Sequence, residues 1–247
     1  MARVADRSSS SRPPAARRSP QPRRSRQLGL PFRTWGGARK GAGRKPVGPK
    51  AGVSHATRPS LEAAHPVHVT IRVHKDLPSL RSQRCLPGLR AALSAGRRYG
   101  GFRLVHYALQ PNHIHLVVEA PGKGVLSRGL QGLGVRIARR LNARLGRRGR
   151  VFADRYHARA LTSPRQTRHA LAYVLLQHRR HGSKDGVGIC SALDPCSSAY
   201  CFDGWTTSPN PRAGPWDDTV VEAKTWLLTK GWRRHGRIDP AEMPGKP

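Results

Sequence analysis

The chain has 247 residues, with 46 Lys and Arg against 13 Asp and Glu, a formal net charge of +33 and a pI near 11.8. A charge of that size exceeds what solubility needs and implies a polyanionic partner, nucleic acid or an anionic membrane surface. No apolar run approaches the roughly 18–20 residues that cross a bilayer, and the Arg/Ser/Pro-rich start lacks the apolar core of a secretory signal, so an intracellular protein with no membrane partner is expected.

Residues 1–60 carry 15 Lys and Arg against one acid, Asp6, and few large apolar residues. Such a segment cannot bury enough apolar surface to fold alone, and a disordered basic arm is expected. It is either a solvated tail or an electrostatic arm that neutralises phosphates. Within it, residues 36–46 read Gly-Gly-Ala-Arg-Lys-Gly-Ala-Gly-Arg-Lys-Pro. Glycine lets backbone lie close to nucleic acid, and Arg suits a narrow minor groove. Arg39, Lys40, Arg44 and Lys45 are therefore candidate DNA contacts in what looks like a loose AT-hook.

From residue 65 to 73, Val67, Val69, Ile71 and Val73 alternate with His68, Thr70 and Arg72, the pattern of a half-buried strand. Pro78 is expected to open a helix running to about residue 96, with Pro87 kinking or splitting it. Gly100 and Gly101 end it, and residues 102–108 read as a second strand. Gln110-Pro-Asn is a tight turn into a third strand, so these two strands form an antiparallel hairpin. Leu126, Leu130, Leu133, Ile137, Leu141 and Leu145 step by four or three and define the clearest amphipathic helix. Arg128, Arg136, Arg139, Arg140 and Arg144 decorate its other sides; they are a solvated face or, with this net charge, phosphate contacts.

Residues 152–161 are expected to form a short strand with Arg155, His157 and Arg159 on one side, Arg155 and Arg159 joining the candidate DNA contacts. Ser163 is the expected N-cap, and Pro164 the first-turn residue, of a helix running to about His181. Its apolar stripe is Leu171, Val174 and Leu175, while His169, Tyr173 and Gln177 step by four on another face. A loop-rich stretch over 186–215 and a short helix over 219–230 complete the chain, which ends basic again at Trp232–Arg237.

The first six elements spell βαββαβ, a ferredoxin-like split βαβ arrangement: an α+β fold with an antiparallel sheet, helices on one face and an additional C-terminal helix. The expected organisation is the basic arm 1–60, a domain over 61–185 and an extension over 186–247. The four cysteines, Cys85, Cys190, Cys196 and Cys201, contain no Cys-x2-Cys pair and read as reduced thiols rather than a zinc site.

The third strand belongs to Gln110-Pro-Asn-His-Ile-His-Leu-Val-Val-Glu119. A strand places residues i and i+2 on one face, so His113 and His115 point the same way while Ile114, Leu116 and Val118 point into a core. Alone, two such imidazoles are polar residues on a half-buried strand. With an amide oxygen from Gln177 they become a three-ligand site whose open positions suit Mg²⁺ or Mn²⁺ with phosphate oxygens and water. The Tyr173 phenol, one helical turn from Gln177, is a suitable nucleophile for a covalent step on a phosphodiester. The products would be a phosphotyrosyl link on one DNA end and a free 3′-OH on the other, which keeps the bond energy for rejoining without ATP.

Pro111-Asn-His-Ile-His-Leu-Val-Val-Glu119 resembles the His-hydrophobic-His motif of the tyrosine (HUH) single-strand DNA transposases, in particular the REP-associated tyrosine transposases, relatives of the insertion-sequence-200 type. Pro66-Val-His-Val-Thr70, Val151-Phe-Ala-Asp-Arg-Tyr-His-Ala-Arg159 and Ala172-Tyr-Val-Leu-Leu-Gln-His178 are similar to that group too. The resemblance covers about residues 61–182 and, more weakly, 194–205 and 226–236. It implies that His113 and His115 are metal ligands, that Tyr173 is the nucleophile and that Gln177 fills the third ligand position. It also implies a nuclease and strand transferase that cuts and rejoins single-stranded DNA at hairpin-forming repeats through a 5′-phosphotyrosine. A cytoplasmic, nucleoid-associated protein is then expected, with a homodimer left open. Glu119 shares the strand parity of the His pair, and reads as a strand-end acid rather than a support for the site.

A histidine-triad hydrolase would need a third His where Val117 stands. A carboxylate-based nuclease would need acids that this stretch supplies poorly, with only Glu62, Asp76, Glu119, Asp154 and Asp185 scattered over residues 61–185. The alternative from another class is a catalytically inactive DNA-binding regulator derived from a transposase, which the charge supports equally and the intact Tyr and His pair do not.

Overall fold

The computed structural model describes residues 59–182, 193–207 and 218–245. The expected arm, and with it Arg39, Lys40, Arg44 and Lys45, lies outside the described residues, as does Cys190. Five strands build one antiparallel sheet: β1 (Val67–Arg72), β2 (Arg98–Tyr99), β3 (Phe102–Leu109), β4 (His113–Glu119) and β5 (His157–Ala160). Their spatial order is β2-β3-β4-β1-β5. β4 thus sits between β1 and β3, two strands joined by a helical crossover, which is the split βαβ of the ferredoxin-like arrangement.

Period-2 alternation decides what each strand gives to each face. Val67, Val69, Ile71, Ile114, Leu116 and Val118 enter one core with α1 (Leu86–Gly96) and α2 (Lys123–Arg144). The α2 stripe Leu126, Leu130, Leu133, Ile137 and Leu141 is buried there, and Leu145 packs at its edge. Gly129 lets α2 approach β3: a Cβ at that position would lie 2.3 Å from the Phe102 ring. On the other face, α3 (Pro164–Gly182) packs across β3 and β4. Leu171, Val174 and Leu175 meet Val105, Ala108 and Val117 there, together with Trp205, Leu228 and Trp232 from the C-terminal segments. The two helices of the split βαβ unit thus share one face, as expected, and the additional helix α3 covers the other.

Four local expectations need correction. The helix expected from Pro78 begins only at Leu86; Pro87 falls in its first turn, where a missing N–H costs nothing, so no kink is needed. Residues 98–99 add a strand that the sequence reading missed, closed onto β3 by Gly100 and Gly101 at φ +50° and +91°. The strand expected over 152–161 is confined to β5, and Phe152 makes only an isolated bridge to Val73. The helix expected over 219–230 shrinks to α4 (Trp226–Thr229), followed by a 3-10 turn over Gly231–His235.

Two anchors hold the α3 side together. Ser163 caps α3 as expected, its Oγ accepting from the Gln166 N–H at 3.3 Å. The Glu119 carboxylate is buried and accepts from the backbone N–H of Lys224 at 2.9 Å, and from the N–H and hydroxyl of Thr225 at 2.7 and 2.9 Å. Arg103 Nε lies 3.2 Å from the same carboxylate. Glu119 is thus the clamp that fastens the C-terminal segment to the end of the sheet.

Candidate active site

His113 and His115 stand on the α3 side of β4, as their parity requires, with ring centroids 4.7 Å apart and planes at 89°. Opposite them in register on β1 are Arg72 and Thr70, and Thr70 in turn faces His157 on β5. α3 brings Tyr173 against this row, its ring edge-on to His115 at 5.2 Å and to His68 at 6.0 Å. One turn later, Gln177 Nε2 donates to the Tyr173 hydroxyl at 3.2 Å. The four residues singled out on chemical grounds, His113, His115, Tyr173 and Gln177, therefore meet in one place, and a single chain supplies all of them.

Each imidazole is tied at Nδ1. His113 Nδ1 lies 2.7 Å from Asn112 Oδ1, an acceptor, a contact that favours a proton on this nitrogen and, in the neutral ring, the lone pair on Nε2. His115 Nδ1 is held at 3.1 Å by both Thr70 Oγ1 and His68 Nε2. Hydrogen bonds of this kind fix the orientation and tautomer of a ligating His and present the other ring nitrogen to the cation. His68 is buried, and burial, helped by the charges of His157 and Arg159, drives its pKa down from 6.5 to about 4. At neutral pH it is an uncharged imidazole stacked against His115 at 5.2 Å. The sequence reading put His68 and Thr70 on the polar face of the first strand but gave them no part in the site. The missing information was the strand order, which places β1 beside β4.

Among the described residues, no group of three or more His, Cys, Asp or Glu is gathered to hold a metal. The donor set at hand is two imidazoles and the nearly buried amide of Gln177, 3% exposed. Its Nε2 donates to Tyr173, and its oxygen is the atom of the amide that could ligate a cation. Two tied imidazoles and one amide oxygen fit a divalent cation that keeps positions open for phosphate oxygens.

The candidate DNA contacts divide between the two faces. Arg155 and Arg159 are exposed near the His row, Arg159 lying opposite His68 in register. Arg128, Arg136, Arg139, Arg140 and Arg144 sit on α2, across the sheet from His113 and His115, and are not brought to the site. Arg144 also has a local structural partner, donating from Nε to the Arg84 carbonyl at 3.0 Å.

No family model and no curated protein matches the sequence. Among solved structures, the chain is similar to a REP-associated tyrosine transposase bound to a REP hairpin, 18% identical with a TM-score of 0.42, over 52% of this chain and 74% of that one. It is also similar to a candidate transposase from Deinococcus radiodurans R1, 17% identical with a TM-score of 0.35, over 56% of this chain and 99% of that one. Overlaps this loose transfer no activity from one chain to another. No helix among the described residues is long and apolar enough to cross a membrane.

Proposed function

We propose that the chain is a divalent-metal-dependent tyrosine endonuclease and strand transferase of the HUH transposase type, acting on single-stranded DNA. The observation that carries the reading is the placement of Tyr173 edge-on to His115 while its hydroxyl accepts from Gln177. Tyr173 also packs at the edge of the α3 core, but the same helix turn delivers its phenol together with an amide onto a pair of tied imidazoles, and packing alone does not call for that polar grouping.

In the proposed reaction the Tyr173 oxygen attacks the scissile phosphorus. The Oη–P bond forms and the P–O3′ bond breaks. The phenolic proton is lost to solvent, and the departing 3′-oxygen leaves as a hydroxyl. Attack of a 3′-OH on the phosphotyrosine reverses these steps and rejoins the strand. Gln177 Nε2 orients the phenol by its hydrogen bond, and His113, His115 and the Gln177 oxygen would hold Mg²⁺ or Mn²⁺. Such an ion, when bound, neutralises charge on the phosphate and polarises it. The net charge of +33 supplies the long-range attraction for DNA. Hairpin-forming repeats are the substrates that the sequence resemblance implies, and the proposed place of action is the cytoplasmic nucleoid. A homodimer is not required to complete the constellation.

The test is incubation with labelled single-stranded hairpin DNA and Mg²⁺ or Mn²⁺, followed by a denaturing protein gel. Label retained by the wild type and lost in Tyr173→Phe is expected. Tight binding with no covalent label on any hairpin would instead make the chain a DNA-binding regulator.

A further inference from the structure

Beside the His pair, at the end of β1, lies an open cleft of about 650 Å³. It starts where the catalytic row stops. Thr70, which holds His115, and Asn112, which holds His113, both line it. So does Arg72, the cross-strand partner of His113. From there the cleft runs past Lys75 to Arg150 and Arg155. Its wall is built by backbone: Ala153 N–H donates to the Arg72 carbonyl at 3.0 Å and His74 N–H to the Val151 carbonyl at 2.7 Å. Arg150 is fixed to that wall, its Nε donating to the Phe152 carbonyl at 2.6 Å and a terminal nitrogen to the Ala153 carbonyl.

The lining decides the ligand chemistry. Four permanent cations, Arg72, Lys75, Arg150 and Arg155, face one lining acid, Asp154, and all four are exposed to incoming ligand. His74 and His157 add imidazole donors. No Phe, Tyr or Trp lines the cleft, so apart from the small imidazoles of His74 and His157 it offers no aromatic platform on which successive bases would stack. Cations and N–H donors without an aromatic platform suit the phosphate backbone rather than the bases.

We propose that this cleft is a phosphate-binding subsite, which takes the single-stranded backbone next to the scissile linkage and so fixes the register in which the strand enters the active site. The inference rests on the proposed endonuclease reading for its substrate, and on the cleft itself for its position. It separates the basic surface into two parts: a short groove continuous with the His pair, and the α2 arginines on the far face of the sheet.

The experiment scans neutral methylphosphonate linkages along a single-stranded hairpin substrate and measures covalent complex formation by the wild type and by Lys75→Ala/Arg155→Ala. In the wild type, one or two linkages on one flank of the cut are expected to cost about fivefold each, the size of an exposed ion pair lost. In the double variant the same linkages are expected to cost nothing more. Equal penalties in both proteins at every linkage would overturn the subsite. Salt dependence gives a second reading that needs no cutting. With Tyr173→Phe as background, Lys75→Ala/Arg155→Ala is expected to lower the slope of log K against log salt by about 1.4, whereas Arg98→Ala/Lys123→Ala, two charges removed elsewhere, leaves the cleft contacts intact and the linkage pattern unchanged. An unchanged slope in the cleft variant overturns the proposal. Absence of covalent label on every unmodified substrate, with the slope lowered as expected, would sink the endonuclease reading and leave the phosphate cleft standing.

Discussion

The two faces of the sheet use the same strands for opposite purposes. On the α1/α2 face every inward position of β1 and β4 is apolar, and Val67, Val69, Ile71, Ile114, Leu116 and Val118 share one core. On the α3 face the alternate positions are His68, Thr70, Arg72, His113 and His115, and apolar packing is confined to the β3 side, where Val105, Ala108 and Val117 meet α3. Stability is thus concentrated on one face and on half of the other. The remaining half can hold polar groups at close quarters because the sheet beneath is already fixed.

Two residues of β4 on opposite faces give the sharpest way to break that comparison. Leu116→Ala removes a fully buried side chain from the α1/α2 face and is expected to cost about 2–5 kcal/mol, read as a lower urea midpoint. His113→Ala, on the half-buried polar side, is expected to leave the midpoint within about 0.5 kcal/mol. Yet, on the proposed endonuclease reading, it should lower strand nicking at least a hundredfold, because losing a metal ligand would forfeit several kcal/mol of charge stabilisation. A His113→Ala protein that unfolds early but still nicks would reverse the assignment of the two faces.

Glu119 tests whether the α3 face has any structural keystone of its own. Its carboxylate accepts from Lys224, from Thr225 twice, and from Arg103. Glu119→Gln replaces an oxygen by an NH₂ that points at donors, and removing one partner of a buried ion pair costs about 3 kcal/mol. Faster hydrogen exchange is expected at the Lys224 and Thr225 amides, with the α1/α2 core amides less affected. Unchanged protection at those two amides would count against the clamp.

A smaller effect is expected at His68 and Thr70, which touch His115 rather than substrate. If His115 ligates the proposed cation, His68→Ala is expected to weaken Mn²⁺ binding about 10–100-fold, the usual range for a lost partner of a ligating His. Activity is expected to recover in part at high Mn²⁺, which loss of a ligand or of the nucleophile would not permit. Thr70→Val should act in the same direction and by less, because His68 Nε2 remains within 3.1 Å of His115 Nδ1.

What the sequence revealed followed periodicity. The α2 stripe, the alternation in β1 and β4 and the Ser163 cap all state their structure locally, and each reappears in the fold. β2 was invisible because two exposed residues carry no pattern; only the glycine pair beside them marks a turn. The C-terminal segment was misjudged because a buried carboxylate over a hundred positions away organises it, not a repeat of its own. The arginines of α2 show the limit most clearly. Their charge was plain in the sequence, but which side of the sheet they occupy depends on how the split βαβ closes.

The smallest expected effect separates the structural end of the α3 face from the end that carries the His pair. His106 lies on β3, 8% exposed, with Nδ1 3.2 Å from Ser198 Oγ and its ring edge-on to Phe202 at 5.5 Å. Burial lowers its pKa from 6.5 to about 4, opposed by the charge of Asp203. Cys201, Glu222 and Arg233 line the same cavity of about 520 Å³, with Val117 beside His106 on β4. The folded protein resists a proton that the unfolded chain accepts near 6.5, so stability attributed to His106 is present above that pH and falls as pH drops toward 4. At pH 5.5 the loss from this residue is about 1 kcal/mol. His68 shifts the same way for the same leading reason, so the wild type carries two such losses. In His106→Asn, the difference in urea midpoint between pH 7.5 and pH 5.5 is expected to shrink, whatever the variant's absolute stability. An undiminished difference would mean that His106 takes up its proton in the folded state, and that the packing at this end of the sheet is open enough to hydrate it.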